Sequence, residues 1–572
     1  MIGFGRHCVR VARWAGVGAL MAACLLPVEA NETLPSVCFE NPVLPGFHPD
    51  PSIVRVGDDF YLVNSSFEWF PGVPIFHSKD LVNWRQIGHV LNRPSQLNMV
   101  KNRPSSGIWA PTIRYQDGLF YVVVTCKQCQ NSEHESNNLF VTAKDPAGSW
   151  SEPVWIKGAK GIDPTLFWDD DGKPYYLGTT HDESIGGPRK WPTEDRVYIQ
   201  PIDLETGYLT GEPTILLNGH AQNARFAEGP HLYRRDGKYI VMIAEGGTWN
   251  SHAITVFESD KLLGPYQPQQ INPVLTHRHL GNDAQITTLG HADLVDTPDG
   301  DWWAVMLGVR PRSNGNYYLG RETFLTSVSW QGTTPIFNPG FGRVFLREQR
   351  PDLEPEMWVK NHRDEFDGTE LALHWNFLRT PQSDFYRISD GQLLLKAKPV
   401  ALTEQDNPAL VAQRITSHYQ QFGTQLDFQP QAEHEAAGLT LYQNDRFHYR
   451  LERFVGGVRL IRAYNTDRKQ LAETVVASAD YREPSVQLWA KLTGDDIQFL
   501  FGEDRQSLQP LGELQSVDAI STNHSGGFIG AYAGVFHTGS LSGSWAGFDW
   551  FDAAPLATRD TLPLTEYNPL CN

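Results

Sequence analysis

Three carboxylates, an indole and an imidazole recur at matching points of this 572-residue sequence. Asp50 opens Asp50-Pro51-Ser52-Ile53, Trp109 precedes Ala110-Pro111-Thr112-Ile113, and Asp163 opens Asp163-Pro164-Thr165-Leu166. Glu228 precedes Gly229-Pro230-His231-Leu232, and His291 opens His291-Ala292-Asp293-Leu294. An acid before proline commonly starts a turn, and one alone would say no more than that. Three acids at equivalent points of a repeat indicate a shared site. Gathered carboxylates do acid–base work: one draws a proton from water, while a second, kept protonated by burial and by its neighbours' charge, gives a proton to a leaving oxygen. With no ligand cluster at metal-binding spacing, that division of labour suits hydrolysis of a glycosidic bond.

A repeated strand unit must position these residues. Each segment leads to a tight turn and then an aromatic strand. The turns are Gly57-Asp58, Asp117-Gly118, Asp171-Gly172, Asp236-Gly237 and Asp299-Gly300; the strands carry Phe60-Tyr61, Phe120-Tyr121, Tyr175-Tyr176, Tyr239 and Trp302-Trp303. Asp-Gly between apolar runs is a strong hairpin signal, because both residues tolerate positive φ. The aligned positions 51, 111, 164, 230 and 292 are 60, 53, 66 and 62 residues apart. Four strands with generous loops fit that period, which exceeds the roughly 40–50 residues of many propeller blades. A second element, Ser78-Lys79-Asp80-Leu81 before Trp84 and Ala143-Lys144-Asp145-Pro146 before Trp150, is assigned to outer strands and turns. No long stretch has helical periodicity. The chain therefore reads as all-β: a five-bladed β-propeller over residues 31–345, whose inner strands bring Asp50, Trp109, Asp163, Glu228 and His291 to one mouth of the axis. A proline-rich linker, 346–360, leads to residues 361–572, where short alternating strands such as 438–442 and 447–454 across Asn444-Asp445 predict a β-sandwich.

Composition excludes other classes. The chain has 66 acidic against 48 basic residues, a net charge of −18, which repels nucleic acid. Aromatic residues make up 12%, ample for a packed core and contrary to disorder. Residues 1–30 read as a signal peptide: Arg6, Arg10 and Arg13 precede an apolar run over 15–26, with small residues at Val28-Glu29-Ala30. That run is too short for a stable membrane span, so no integral membrane segment is expected in the mature chain. Met21-Ala22-Ala23-Cys24 loosely resembles a lipoprotein box, the less favoured route, which would leave the protein anchored through Cys24. Export to the periplasm or beyond puts Cys38, Cys126, Cys129 and Cys571 in an oxidising setting. Cys126 and Cys129 are read as a local disulfide; Cys38 and Cys571 could then tie the chain ends together, and the sequence leaves the connectivity open. The sequence leaves the oligomeric state open.

His48-Pro49-Asp50-Pro51-Ser52, Gly107-Ile108-Trp109-Ala110-Pro111, Ile162-Asp163-Pro164, Ala227-Glu228-Gly229-Pro230-His231-Leu232-Tyr233, Gly290-His291-Ala292 and Gly320-Arg321-Glu322-Thr323-Phe324 follow one another in order. Together they resemble the successive motifs of glycoside hydrolase family 43, from about residue 41 to 345. The C-terminal region is similar, more weakly, to the concanavalin-like jelly-roll sandwich of that family's β-xylosidase-type members. The resemblance implies an inverting mechanism with Asp50 as general base, Glu228 as general acid, and Asp163 tuning and orienting the acid. Arg321 would hold sugar hydroxyls through its fork of donors. His291 would lie in the axial channel beside the sugar, where some members hold calcium; no cofactor is required, but a structural calcium ion is allowed for. Trp109, then Phe67 and Trp69 from the 64–71 loop, are the expected sugar platform. A sandwich loop is expected to close the pocket, with Phe536 in Ala533-Gly534-Val535-Phe536-His537 as its protruding ring. The implied activity is exo-acting release of terminal β-D-xylose from hemicellulose oligosaccharides, or removal of α-L-arabinofuranosyl side chains; the motifs do not separate the two. A non-catalytic carbohydrate-binding propeller is the rival reading. It predicts loss of at least one of the three carboxylates, and all three are present.

Overall fold

Strand-forming residues alternate with turn residues along most of the chain, and five four-stranded antiparallel sheets follow one another in sequence. They occupy residues 52–91, 107–155, 162–217, 228–268 and 287–337. The computed structural model describes residues 37–129, 136–281, 283–312, 314–358, 360–467, 471–540, 543–557 and 566–571. The expected signal peptide, with Cys24, lies outside the described residues. The Asp-Gly turns behave as their chemistry requires. Asp117 and Gly118 have φ of 53° and 79°, and Asp236 and Gly237 have 49° and 77°, the doubly left-handed turn that matches the twist of a hairpin. Asp80, of the second repeated element, is buried between the third and fourth strands of the first blade, where its Oδ1 accepts hydrogen bonds from the backbone of Val82 and Asn83.

The ring of blades closes where the chain's start meets the end of the fifth blade. Asn41 bonds both backbone groups of Leu325, its Nδ2 donating to the carbonyl and its Oδ1 accepting from the amide. Cys38–Glu40 pairs with Arg347–Gln349 as a short antiparallel ladder. Disulfides join Cys38 to Cys571 and Cys126 to Cys129. The remaining chain forms a sandwich of a nine-stranded and an eight-stranded sheet. Among the described residues the longest α-helix has four residues, Thr522–Ser525, and no helix is long and apolar enough to cross a membrane.

The eighth strand of the smaller sheet comes from the propeller. Trp69–Phe70, in the loop expected to face the sugar, pairs with Asn376–Leu378. This corrects the expectation for Trp69. Its ring has no exposure and stacks on Tyr532 of the sandwich at 3.7 Å, with Tyr442 edge-on. A strand residue alternates between faces, and the pairing with Leu378 turns this indole into the sandwich core rather than towards the axis. The indole N–H finds no acceptor, so shape and apolar area are what it contributes. Trp69→Ala is expected to cost about 3–5 kcal/mol, read as a lower urea midpoint with ligand affinity of the folded protein unchanged. Trp69→Phe should cost far less, whereas a pocket-wall residue would change affinity with the midpoint unmoved.

Candidate active site

At the head of each blade's inner strand one residue takes a left-handed backbone: Asp50 (φ 50°), Ala110 (41°), Asp163 (54°), Gly229 (61°) and His291 (50°). In blades two to five the ladder slips register there, between Trp109 and Thr112, Ile162 and Thr165, Glu228 and His231, and Gly290 and Ala292. Such bulges bend a strand and re-aim its side chains. In blades one, three and five the left-handed residue itself carries the functional group. In blades two and four the preceding residue does, so Trp109 and Glu228 sit one position earlier than strict repeat equivalence. Blade four has no alternative. A Cβ on Gly229 would lie 2.8 Å from His291 Nε2, so only glycine fits beneath the imidazole.

One pocket at the axis mouth is lined by Asp50, Asp163, Glu228, Trp109, Phe67, His291 and Arg321, which brings together every expected site residue except Trp69 and Phe536. Asp50 Oδ1 accepts from Arg321 Nη1 at 2.5 Å and Oδ2 accepts from Ser65 Oγ at 2.6 Å. The Ser65 oxygen in turn accepts the Ala110 N–H at 2.7 Å, so its hydroxyl hydrogen is committed to Asp50. His291 Nδ1 lies 3.7 Å from the same Asp50 Oδ1. Asp163 is seated by its own N–H on Thr125 Oγ1 at 3.2 Å. Burial pushes its carboxyl up to about 6, helped by the charge of Asp50 and opposed by His291 and by the Gly229 N–H. Glu228 is pushed well above the usual carboxyl range, first by enclosure and then by the charges of Asp163, Asp195 and Asp50. The pocket therefore sets an acid whose pKa is raised by enclosure beside a carboxyl group whose two oxygens both accept hydrogen bonds.

The pocket walls come from both halves of the fold. Trp109 lies 6.0 Å from Phe67 and 6.0 Å from Phe528, a ring from the sandwich that the sequence did not single out. Phe528, not Phe536, is the sandwich residue in the pocket. Phe536 lies within the strand Tyr532–Thr538, paired on both sides, and packs into the core at 1% exposure. The sequence signal for Phe528 is the pair Gly526-Gly527 just before it. Ser105 organises this wall: its carbonyl accepts Trp109 Nε1 and its hydroxyl accepts the Phe528 N–H at 2.9 Å. Its own N–H donates to buried Glu68 at 3.0 Å, which secures a backbone held at φ 65°. Ser65, Ser105, Glu68, Asp195 and Thr248 are supporting residues that no motif announced.

The donors around His291 do not suit calcium, a hard cation that takes six to eight oxygens. Asp50, the carboxylate 3.7 Å from its Nδ1, is taken by Arg321. Behind it the axial channel already holds a cation, the Arg114 guanidinium, bonded to Asp293 at 2.9 Å and to His231 Nδ1 at 2.8 Å. Among the described residues no group of three or more His, Cys, Asp or Glu side chains is arranged to hold a metal.

Enclosure of the acid has a measurable cost. A carboxyl whose folded pKa is raised loses stability as pH climbs from the unfolded value, about 4.3, towards the folded one, by up to about 1.4 kcal/mol per pH unit. Glu228→Gln escapes that loss, so its unfolding temperature relative to wild type should rise steadily between pH 4.5 and pH 7. A flat difference across that range would show that Glu228 ionises normally.

Comparison with known proteins gives this arrangement a context. Residues 39–335 match the family described as Glycosyl hydrolases family 43, and residues 363–554 match the Beta xylosidase C-terminal Concanavalin A-like domain. The chain is 36% identical over 534 residues to a Xylosidase/arabinosidase of Butyrivibrio fibrisolvens, covering 90% of this chain and 99% of that one. It is 36% identical over 537 residues to a Non-reducing end alpha-L-arabinofuranosidase of Bacteroides ovatus, covering 91% and 96%. A solved xylan beta-1,4-xylosidase from Bacillus halodurans superposes with a TM-score of 0.82 at 32% identity, covering 90% and 99%.

Proposed function

Because the chain belongs to family 43 of the glycosyl hydrolases, we propose that it removes single terminal pentoses, β-D-xylose first, from hemicellulose oligosaccharides with inversion at the anomeric carbon. The observation that carries this reading is the unequal pair of carboxyls in one small aromatic-walled pocket: Glu228 holds a proton and Asp50 offers acceptor oxygens. Glu228 gives its proton to the glycosidic oxygen as the bond to the anomeric carbon breaks. Asp50 takes a proton from the water that attacks the opposite face, which leaves a hydroxyl of inverted configuration. Asp163, which faces both carboxyls electrostatically, keeps the acid's pKa high. Arg321 and Ser65 fix the base, and Trp109, Phe67 and Phe528 take the apolar faces of the sugar. These steps use side chains and water alone.

Exo action fits the shape. The catalytic pocket is small, about 80 Å³, and joins a groove of about 610 Å³ that shares Thr248, Arg321 and Phe528 with it. A single terminal residue enters the pocket while the rest of the chain lies along the groove, where Trp249 is 42% exposed. α-L-Arabinofuranosidase activity is the second reading, favoured by the name of the Bacteroides relative. The two disulfides suit an exported enzyme.

Wild type, Asp50→Ala and Glu228→Gln are compared on aryl β-D-xyloside and aryl α-L-arabinofuranoside, with the product anomer followed by NMR. Wild type should turn over at least one substrate with inversion, and each variant should lose about 10²–10⁴-fold in kcat. Sugar binding without turnover would return the protein to the carbohydrate-binding class. A retained anomer would overturn the roles given to Asp50 and the attacking water.

A further inference from the structure

A cavity of about 630 Å³ lies away from the catalytic pocket, in the seam between propeller and sandwich. Its walls differ in chemistry. One is apolar and aromatic, built from Val43, Leu44, Phe76 and half-buried Trp84. Facing it, Arg414 reaches from the sandwich strand Leu410–Arg414 towards the propeller. Its Nε donates to the Phe47 carbonyl at 2.6 Å and its Nη1 to Asn376 Oδ1 at 3.0 Å, both neutral acceptors. Among the described residues no carboxylate pairs with this guanidinium, although the residue is only 7% exposed. Arg414 lines the cavity, its guanidinium 5.5 Å from the Tyr532 ring, and among the described residues no side chain or carbonyl accepts from its Nη2.

Two further groups complete the polar wall. His48 is 8% exposed and its Nδ1 meets the Pro45 carbonyl at 3.1 Å, so that nitrogen carries the proton. Burial and then Arg414 hold its pKa well below the usual range, with Lys360 adding to the effect, so the imidazole is neutral. Its Nε2 therefore carries the lone pair, and the residue lines the cavity. Lys360, an exposed residue, lines the cavity, and partial enclosure of its amino group lowers its pKa from the ordinary value. The nearby acids are otherwise engaged: Asp364 accepts Trp375 Nε1 and the Phe366 N–H, and Glu365 accepts Arg363. Asp367 also lines the cavity.

We propose that this groove is a second carbohydrate site, for a sugar that carries a carboxylate: Arg414 and Lys360 take the acid group, His48 Nε2 accepts a ring hydroxyl, and Trp84 covers a face of the ring. A buried, unpaired guanidinium is costly unless an anion completes it, and an arginine fork matches a carboxylate's two oxygens. The lone pair beside it selects a hydroxyl donor over a bare anion, and the aromatic wall selects a ring. His48, which lines this groove, is two residues before Asp50 of the catalytic pocket, and the two sites share no lining residue.

Calorimetric titration of the full-length protein with sodium D-glucuronate tests this, with saturating D-xylose present to occupy the catalytic pocket. Saturable binding is expected, weakened about tenfold or more by Arg414→Lys and by Lys360→Gln. Lys360 is exposed, so its variant stays folded even if the arginine variant does not. Sodium sulfate and excess methyl β-D-xyloside should each bind at least tenfold more weakly. Unchanged affinity in Lys360→Gln, no saturable heat, or sulfate binding as tightly as glucuronate would overturn the proposal. The readout involves no turnover, so failure here and failure of the hydrolase reading are separate outcomes.

Discussion

Five inner strands can aim side chains at a common axis only if each breaks its pleat before entering its blade, because an unbroken strand sends alternate side chains into the two sheet faces and none across the channel. The left-handed residue at each strand head makes that break. An L-residue there is strained by about 1–2 kcal/mol, and the strain persists because each position is held from several sides. Asp50 is gripped by Arg321 and Ser65, Ala110 gives its N–H to the same serine, and Asp163 rests on Thr125. The contacts that impose the backbone and the contacts that prepare the chemistry are thus the same ones.

Electrostatics then divides the roles. Three carboxyls face one pocket, and its single arginine is spent on Asp50. Glu228 receives enclosure and the repulsion of its neighbours instead, and keeps its proton. Asp163 lies between, drawn up by burial and held back by His291 and a backbone N–H. Side chains of nearly equal intrinsic acidity are set apart by what each is allowed to touch.

Local rules carried much of this information. Asp117-Gly118 and Asp236-Gly237 announced hairpins because their φ preferences are intrinsic, and the repeat announced the blades because each is built from neighbouring residues. Asp50, Asp163, Glu228, Trp109 and His291 could be placed at one mouth for the same reason, whereas Arg321 entered only through the family resemblance. The aromatic wall was legible only in part. Phe67 and Trp69 are two residues apart in one loop, yet one lines the pocket and the other seals the sandwich, a choice made by the pairing of Leu378 with Trp69. Phe528 and Phe536 pose the same difficulty: both follow glycines, and only the strand pairing of 532–538 shows which ring is buried. Ser105 and Glu68 carried no signal, since hydrogen bonds to a backbone N–H or carbonyl leave no pattern in sequence.

The strand contributed by Trp69–Phe70 sets an order of assembly. Its stacking partner Tyr532 and the pocket ring Phe528 are made late, and Cys38 must wait for Cys571, 533 residues downstream. At a synthesis rate of about 5–20 residues per second, the first blade exists for tens of seconds before the sandwich strand that covers its indole. A nascent chain through that interval has its acids but not its roof, and offers an uncovered aromatic surface to whatever escorts it.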